Sequence, residues 1–236
     1  MTPEALVEAM EATWPPARVL RVGPWLLRDG QGGGQRVSAA TVAGDWAEAD
    51  LAEAEAGMDA LGQKRLFLIR AGDDALDAAL AERGYRINDP VAAYAAPVTT
   101  LAGPVSGMAA FPHWPPLAIA CDLWAEGGIG PARLAVMARV AGPKVAILGR
   151  SDDKPAGVAF VACAGPVAML HALEVRPAMR RQGTARKMLI AAAHWAQAQG
   201  AQTFALVVTE ANAPARALYE RLGMATVGRY HYRVQD

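Results

Sequence analysis

The sequence predicts an α/β protein made of two similar domains, each built from alternating strands and helices. Strand-like and helix-like segments alternate through the 236 residues, which is the pattern of α/β layers. A stretch rich in proline, glycine, serine and threonine over residues 97–116 separates two halves that each show this alternation. The segment ALAERGY at 79–85 also resembles ALYERLGM at 217–224, which favours duplication over a chance likeness between two helix ends. We therefore divide the chain into a domain over 1–100, a linker over 101–116 and a domain over 117–236.

The first domain begins with an amphipathic helix at Pro3–Thr13, whose apolar residues recur every three or four positions. Two strand-like runs rich in branched and aromatic residues follow, joined by a glycine-rich loop that we interpret as a hairpin connection. An acidic helix, a compact buried strand, a second helix that stops at glycine and a last strand complete the domain. In order, the segments after the first helix are 17–28, 35–42, 46–61, 65–71, 73–84 and 86–95.

The second domain begins with two helical patterns, followed by two apolar runs that form a predicted hairpin across the turn sequence SDDKP. A long strand, a helix with one continuous apolar face and a second buried strand come next. Asn212 suits a helix N-cap because a proline stands in the first turn after it, and a final strand ends the domain. In order, the segments are 116–125, 131–140, 145–150, 156–164, 167–175, 182–199, 203–208, a helix after Asn212 and 225–234.

Charge and cysteine content limit the partners and the compartment. The 23 basic residues balance the 23 acidic ones, so no electrostatic argument favours nucleic acid or an anionic membrane surface. Cys121 and Cys163 cannot build a disulfide framework, and both stand in apolar surroundings. The start of the chain lacks the basic region of a signal peptide, and no apolar run reaches the roughly 18 residues of a membrane span. We expect a cytoplasmic protein that binds neither nucleic acid nor membrane, and no histidine, cysteine or carboxylate spacing predicts a metal site.

The most informative stretch is a basic turn between the strand at 167–175 and the helix after it. Gly183 and Ala185 leave space around the backbone, so a phosphate could approach the free N–H groups and the positive end of the helix dipole. Arg180, Arg181 and Arg186 add positive charge. A pyrophosphate site is one interpretation of this turn, and an ordinary basic surface turn is the other.

Two motifs in this half resemble those of the GCN5-related N-acetyltransferase (GNAT) superfamily. Its pyrophosphate loop, Q/R-x-x-G-x-G/A at the start of a helix, is similar to Arg180–Ala185. Its asparagine followed by a helix that carries a tyrosine and ends at glycine is similar to NAPARALYERLG at 212–223. The two motifs in this order, with a buried strand between them, are far more specific than either alone.

The resemblance implies a GNAT-like mixed sheet and acetyl-CoA as the acyl donor. The pantetheine arm would pair with the backbone of Leu173, Glu174 and Val175, where the strand separates from its neighbour, and an N–H group there would stabilise the oxyanion. Asn212 would contact or support the pantetheine, and Tyr219 would give a proton to the departing thiolate. The remaining donor-binding residues form the pyrophosphate loop: Arg180, Arg181, Gln182, Gly183, Thr184, Ala185 and Arg186.

Three alternatives remain for the base that takes the proton from the amine. The sequence MLHALEVRP resembles the corresponding strand of serotonin N-acetyltransferases, in which a histidine at the position of His171 helps to move that proton. Those enzymes have a second histidine where Met169 stands here. Glu174 would face the other side of a regular strand, unless a bulge turns it. A water chain without a dedicated base is the third alternative.

We therefore predict an acetyl-CoA-dependent N-acetyltransferase that transfers acetyl directly to a primary amine, from a small molecule, in a ternary complex. A CoA-binding sensor without activity, and a transferase of longer acyl groups, remain alternatives. The first half lacks the pyrophosphate turn and has Ala81 where the repeat aligns Tyr219. It is therefore predicted to be a degenerate copy that completes the acceptor cleft, in a monomer or homodimer. The tryptophans are interpreted as core or interface residues rather than as the wall of an acceptor pocket: Trp14, Trp25, Trp114 and Trp124.

Overall fold

The computed structural model describes residues 1–235 and shows an α/β fold with one eight-stranded mixed sheet and one three-stranded sheet. The strands are β1 (Arg18–Val22), β2 (Trp25–Asp29), β3 (Thr41–Val42), β4 (Arg65–Arg70), β5 (Arg86–Pro97), β6 (Ala110–His113), β7 (Lys144–Ser151), β8 (Lys154–Ala164), β9 (Val167–Val175), β10 (Thr203–Thr209) and β11 (Ala225–Gln235). The helices are α1 (Pro3–Thr13), α2 (Leu51–Ala60), α3 (Asp74–Glu82), α4 (Val98–Leu101), α5 (Ala118–Glu126), α6 (Pro131–Arg139), α7 (Thr184–Ala198) and α8 (Ala213–Arg221). Short 3-10 turns lie at Gln35–Val37, Glu48–Asp50 and Pro177–Met179.

The two halves of the chain exchange strands at the centre of the large sheet, whose order is β4-β11-β5-β10-β9-β8-β7-β6. β5 of the first half lies between β10 and β11, and its pairs with β10 run from Pro97↔Thr203 to Val91↔Thr209. β11, the last strand, lies between β5 and β4. The predicted boundary between 1–100 and 117–236 thus divides the sequence but not the sheet.

Each half follows the same series of elements. The series β1-β2-β3-α2-β4-α3-β5 corresponds in order to β7-β8-β9-α7-β10-α8-β11. A parallel bridge from Ala40 to Phe67 joins the β3 region to β4, just as β9 and β10 pair in parallel. The similar segments at 79–85 and 217–224 fall at the ends of the corresponding helices α3 and α8.

The segment predicted as a linker contains regular structure. Ala110–His113 form β6, which pairs with β7 from Ala110↔Gly149 to His113↔Ala146 at the edge of the sheet. The proline at position 112 weakened the strand pattern, but an edge strand tolerates proline because one side of its backbone needs no partner. The prediction of a linker over 101–116 is therefore wrong for its second half.

Two strand predictions in the first half are also corrected. The run 17–28 is not one strand but the hairpin of β1 and β2, which turns at Gly23 with a φ of +54°. The run 35–42 forms mainly a 3-10 turn, and only Thr41–Val42 is a strand. The glycine-rich loop before it does connect antiparallel strands, as predicted, because β2 pairs with β3.

The large sheet is covered on both faces. On one face α7 packs Met188, Leu189 and Ala192 into a core with β7, β8 and β9. On the other face α5, α6 and Trp14 pack against Phe160 of β8. Helix α1 of the first half therefore covers part of the sheet of the second half. None of the helices within residues 1–235 is long and apolar enough to cross a membrane.

Candidate active site

β9 and β10 separate halfway along their length. Their parallel pairing runs from Thr203↔Val167 to Leu206↔Leu170 and then ends. Beyond this point β9 continues with β8 as far as Val175↔Gly157, while β10 continues with β5. The gap leaves one side of each backbone without a strand partner, and an extended polar ligand can pair there. Leu173, Glu174 and Val175, the residues predicted to hold pantetheine, lie in this opened part of β9.

A β-bulge in β9 places His171 and Glu174 on the same face of the sheet. Phe160 pairs with His171 and Val158 pairs with Glu174, so β9 has one extra residue against β8. Ala172 is in the left-handed region with a φ of +50°, and its carbonyl accepts a hydrogen bond from Trp124 Nε1 at 2.8 Å. The regular alternation that would have turned Glu174 away is therefore broken here.

The start of α7 presents free backbone N–H groups at the end of β9. The first helical bond is donated by Lys187 to the Gly183 carbonyl, so the N–H groups of residues 183–186 have no partner within the helix. Arg181 and Gly183 both have positive φ, and nothing lies within 4 Å of a Cβ built on Gly183. Three arginines of this segment are exposed: Arg180, Arg181 and Arg186. The arrangement favours an anion such as a pyrophosphate.

Side chains hold the predicted pyrophosphate loop to the sheet. Arg180 donates from Nε to the Val175 carbonyl at 3.0 Å, and Ser151 donates to Gln182 Oε1 at 2.6 Å. Thr184 points inward, and its buried hydroxyl has no hydrogen-bond partner among the described residues. Of the predicted loop residues, Thr184 is thus the one whose side chain faces the core.

Tyr219 is buried behind the gap on the α7 face. Its side chain belongs to the core that also contacts Leu173, Val175 and Val208. Burial raises the pKa of Tyr219 to about 12, so the phenol is protonated at neutral pH and can donate. Asn212 caps α8, since its side-chain oxygen accepts a hydrogen bond from the Ala215 N–H at 3.2 Å.

His171 is buried and both of its ring nitrogens have partners. Thr13 gives its own proton to the Ala9 carbonyl, so its oxygen accepts from His171 Nε2 at 2.9 Å. Nδ1 must then accept from Arg36 Nη1, 3.2 Å away. Burial, together with the charge of Arg36, holds the pKa of His171 well below its usual range. His171 is therefore neutral, and its lone pair is already occupied.

Glu174 has the properties of a proton acceptor. Its side chain is half-buried, and burial raises the pKa of its carboxyl, although Arg180 and Arg133 counteract part of the rise. A Cβ built on Gly127 would lie 2.8 Å from the Glu174 carboxyl carbon, so this glycine makes room for it. No hydrogen bond to the Glu174 carboxylate occurs among the described residues, and Glu174 lines a small cavity of about 70 Å³ together with Gly127 and Arg180.

A cavity of about 300 Å³ opens on the face of His171, at the point where the strands separate. Its walls come from both halves of the chain: His171 and Ala172 of β9, Val207–Thr209 of β10, Ile129, Arg133, Trp14, Gly33–Arg36, Asp89, Val91, Tyr230 and Tyr232. A second cavity of about 520 Å³ lies beside it under α1 and shares Trp14, Arg36 and Tyr230 with it. We call the first one the acceptor cavity, because it faces the opened strands from the side opposite α7.

Several residues of the acceptor cavity were not predicted from the sequence. Arg36 belongs to the run interpreted as a strand, and Arg133 belongs to a helix without a recognisable motif. Trp14 was interpreted as a core residue. It packs on Phe160 with ring centroids 6.1 Å apart, and it also lines the acceptor cavity. No local signal identifies these residues, because only the tertiary fold brings the first half over β9.

The cysteines are not part of the site. Cys163 is buried, and burial raises the pKa of its thiol to about 11, so it is not a reactive thiolate. Across the described chain, no three histidine, cysteine or carboxylate side chains are arranged to hold a metal ion.

Comparisons with known proteins agree with this geometry. Residues 122–224 match the model of the acetyltransferase (GNAT) family, and the match includes every predicted donor-binding residue. None of the functionally curated proteins matches the sequence. The match and the fold together support an acyltransferase enzyme, and GNAT enzymes use acetyl-CoA as co-substrate.

Solved structures share the fold over most of the chain. A GCN5-related N-acetyltransferase from Kribbella flavida is 20% identical with a TM-score of 0.68, covering 100% of this chain and 96% of that one. A second, from Sphaerobacter thermophilus, is 14% identical with a TM-score of 0.61 and coverages of 84% and 72%. A tandem GNAT protein from the clavulanic acid biosynthesis pathway is 15% identical, also with a TM-score of 0.61, and the coverages are 84% and 74%.

Proposed function

We propose that this protein is an N-acetyltransferase that moves acetyl from acetyl-CoA directly to the primary amine of a small molecule in a ternary complex. The observation that carries the proposal is the continuity of one site. The gap between β9 and β10 leads to the free N–H groups of α7 at one end and to the acceptor cavity on the other face. Tyr219 lies behind the gap.

In this proposal the chain binds the donor mainly through its backbone. Leu173, Glu174 and Val175 pair with the pantetheine amides, and the residues from Arg180 to Arg186 hold the pyrophosphate by N–H groups and positive charge. Asn212 keeps α8 in place beside the pantetheine. One of the free N–H groups of opened β9 stabilises the oxyanion that forms on the thioester carbonyl.

The transfer step needs one proton acceptor and one proton donor. Glu174 removes a proton from the ammonium form, and the neutral amine nitrogen then forms a bond to the thioester carbonyl carbon. The nitrogen of the tetrahedral intermediate loses its second proton to water, the carbon–sulfur bond breaks, and Tyr219 gives its phenolic proton to the sulfur. The products are the amide and CoA thiol, and proton exchange with water restores both side chains. Residues 1–235 show no activated nucleophile that would call for a covalent acetyl-enzyme.

We assign the base to Glu174 rather than to His171. A general base needs a free lone pair and a pKa near the working pH. Burial shifts the pKa of Glu174 upward, towards neutrality, and the pKa of His171 downward, away from it. Arg36 also occupies the His171 lone pair. A water molecule between Glu174 and the amine would preserve this assignment.

We further propose that the first half is a degenerate copy of the second. The matching series of elements and the exchanged strands β5 and β11 support this idea. The start of α2 carries Glu48, Asp50 and Glu53, and these acids repel phosphate where α7 offers arginines. The copy therefore has no donor site, and it contributes the wall of the acceptor cavity. We expect the protein to act in the cytoplasm as a monomer or homodimer.

The first experiment is calorimetric titration of acetyl-CoA into the wild type, Gly183→Asp and a matched control, Gly84→Asp. Both glycines have a φ near +80° and open space around the Cβ position, so the two variants carry the same backbone strain. We expect Gly183→Asp to weaken binding at least tenfold and Gly84→Asp to bind like the wild type. Absence of binding to the folded wild type would refute the donor site.

The second experiment follows CoA thiol release with a panel of primary amines, with Tyr219→Phe as the variant. We expect turnover by the wild type and a large loss of kcat in the variant, with acetyl-CoA binding unchanged. Tight binding without turnover of any amine would instead indicate a CoA sensor. Turnover only with a longer acyl-CoA would show that the donor is not acetyl-CoA, and the assignment of the donor site would stay the same.

A further inference from the structure

We infer that the acceptor amine also carries a carboxylate, and that Arg36 and Arg133 bind this carboxylate in the acceptor cavity. The substrate class is then a free amino acid or a similarly small amino-carboxylic acid. This inference rests on the proposed N-acetyltransferase function and adds the identity of the acceptor.

Arg36 is a partly buried cation without a counter-charge. Its Nη1 donates to His171, its Nε is buried and has no partner, and its guanidinium lies 5.9 Å from the centre of the Trp14 ring. No carboxylate of residues 1–235 forms an ion pair with it. A positive charge that no carboxylate balances, on the wall of the acceptor cavity, favours an anionic ligand.

Arg28, which borders the neighbouring cavity, shows how the same fold satisfies a buried arginine when no ligand is needed. It forms an ion pair with Glu11 and donates to the Ala39 carbonyl at 2.9 Å and to the Thr41 hydroxyl at 3.0 Å. The first half thus supplies a carboxylate for one arginine and leaves the other, Arg36, to face the acceptor cavity.

Arg133 brings a second cation to the same cavity from α6. Its Nε would lie 3.4 Å from a Cβ built on Gly34, so it packs against the turn that carries Arg36. Within the described part of the chain Arg133 also forms no ion pair. Two guanidinium groups on adjoining walls suit a carboxylate, which accepts paired hydrogen bonds from arginine.

The remaining charge of the cavity fits the amine of the same molecule. Asp89 is the one acidic residue in the wall, it lies exposed near the start of β5, and it accepts a hydrogen bond from Gln35. It attracts a protonated amine to the entrance, while the arginines take the carboxylate. A volume of about 300 Å³ suits a molecule of amino-acid size rather than a polymer.

His171 has a positioning role in this arrangement. Thr13 fixes its Nε2, so Nδ1 points at Arg36 and orients the guanidinium. The neutral state of the imidazole avoids repulsion between the two groups.

The test compares amino acids with their carboxamides, which have the same primary amine but no carboxylate. Thiol release is measured with wild type, Arg133→Gln, Arg36→Gln and the control Arg139→Gln, which changes another arginine of α6 outside the acceptor cavity. We expect the acid to have at least tenfold higher kcat/KM than its amide. Arg133→Gln and Arg36→Gln should lower kcat/KM for the acid, mainly through KM, by at least tenfold more than kcat/KM for the amide. Arg139→Gln should change neither.

Three outcomes would overturn the inference. They are equal use of acid and amide by the wild type, equal losses for both in the arginine variants, and no turnover of any amino acid or amide by protein that binds acetyl-CoA. Because Arg133 is exposed, its variant tests the inference even if Arg36→Gln does not fold. Failure to bind acetyl-CoA, measured separately by calorimetry, would instead refute the proposed function.

Discussion

At the scale of single residues, hydrogen-bond partners separate two side chains that the sequence could not rank. His171 and Glu174 both lie in the opened part of β9, and the bulge at Ala172 puts them on one face of the sheet. The imidazole has both nitrogens occupied, whereas the carboxylate has no hydrogen-bond partner within residues 1–235. The burial that both share raises the pKa of Glu174 and lowers that of His171, because it disfavours the charged form of each.

We predict different kinetic effects for these two residues. Glu174→Gln keeps the shape of the side chain but removes the base, so kcat should fall by about 10²–10⁴-fold with little change in KM. His171→Gln should raise KM for an amino-carboxylic acid because Arg36 loses its orientation. The pH profile of kcat/KM shows which residue is the base. The fall of kcat/KM at low pH, which reports protonation of the base, should persist in His171→Gln. Loss of this fall in the histidine variant would assign the base to His171.

A second prediction concerns the pH dependence of stability. The pKa of His171 is low in the folded protein and near its usual 6.5 in the unfolded chain, so below about pH 6.5 the unfolded chain binds more protons. Stability should therefore fall as the pH drops from about 6.5, by up to about 1.4 kcal/mol per pH unit, and be independent of this group above pH 7.

Urea unfolding of wild type and His171→Gln between pH 7 and 5 measures this effect. Burial also lowers the pKa of His113, so the informative quantity is the difference between the two proteins. The variant should lose less stability on acidification than the wild type. Parallel curves would contradict the buried, neutral state of His171.

At the scale of elements, prediction from sequence succeeded where the local pattern decides the structure. The helix predicted at 182–199 is observed at Thr184–Ala198, because its apolar face repeats regularly and Gly183 permits the left-handed start. The strand predicted at 167–175 is observed as β9 with the same bounds. The prediction of a strand over 35–42 was wrong for its first part. There Arg36 bonds to His171 of β9 and Val37 packs with Val136 of α6, and no local pattern records such contacts.

Helix α7 approaches the sheet closely beside the opened part of β9, which leads to a third prediction. A Cβ built on Gly157 would lie 2.6 Å from the Glu174 carbonyl and 2.9 Å from the Met188 methyl group. Gly157→Ala should therefore push β9 away from β8, lower the free energy of unfolding by about 1–3 kcal/mol and weaken acetyl-CoA binding.

Gly107→Ala is the control, since nothing lies within 4 Å of its Cβ position and its φ is not positive. Chemical denaturation and acetyl-CoA calorimetry of both variants measure the effect. Unchanged acetyl-CoA affinity in a destabilised Gly157→Ala would show that the position of β9 against β8 does not control the donor site.

At the scale of the whole molecule, the exchanged strands make the two halves depend on each other. β5 separates β10 from β11, and β11 separates β5 from β4, so each half places its last strand beside the other half's sheet. The sequence suggested the repeat through the similar segments at 79–85 and 217–224. It could not reveal the exchange, because hydrogen-bond partners between distant strands leave no local pattern. The fold also places Arg36 of the first half against His171 of the second.

This architecture predicts the behaviour of the chain when it is cut between Gly103 and Pro104, in the partly exposed segment between α4 and β6. The fragment 104–236 alone lacks β5, which leaves the β5-facing edge of β10 unpaired from Thr203 to Thr209 and detaches β11 from the sheet. It also lacks α1 and Arg36, so neither the core under Trp14 nor the acceptor cavity is complete.

Each fragment alone should be unfolded or aggregated, since unpaired strand edges associate readily. Co-expressed fragments should purify as a one-to-one complex that binds acetyl-CoA and shows the same preference for the acid over the amide as the intact chain. Size-exclusion chromatography and hydrogen exchange of the β10 amides distinguish unfolded or aggregated fragments from a folded one-to-one complex. A fragment 104–236 that folds alone, protects β10 and turns over the acceptor with the intact chain's kcat/KM would show that the first half is dispensable for the site.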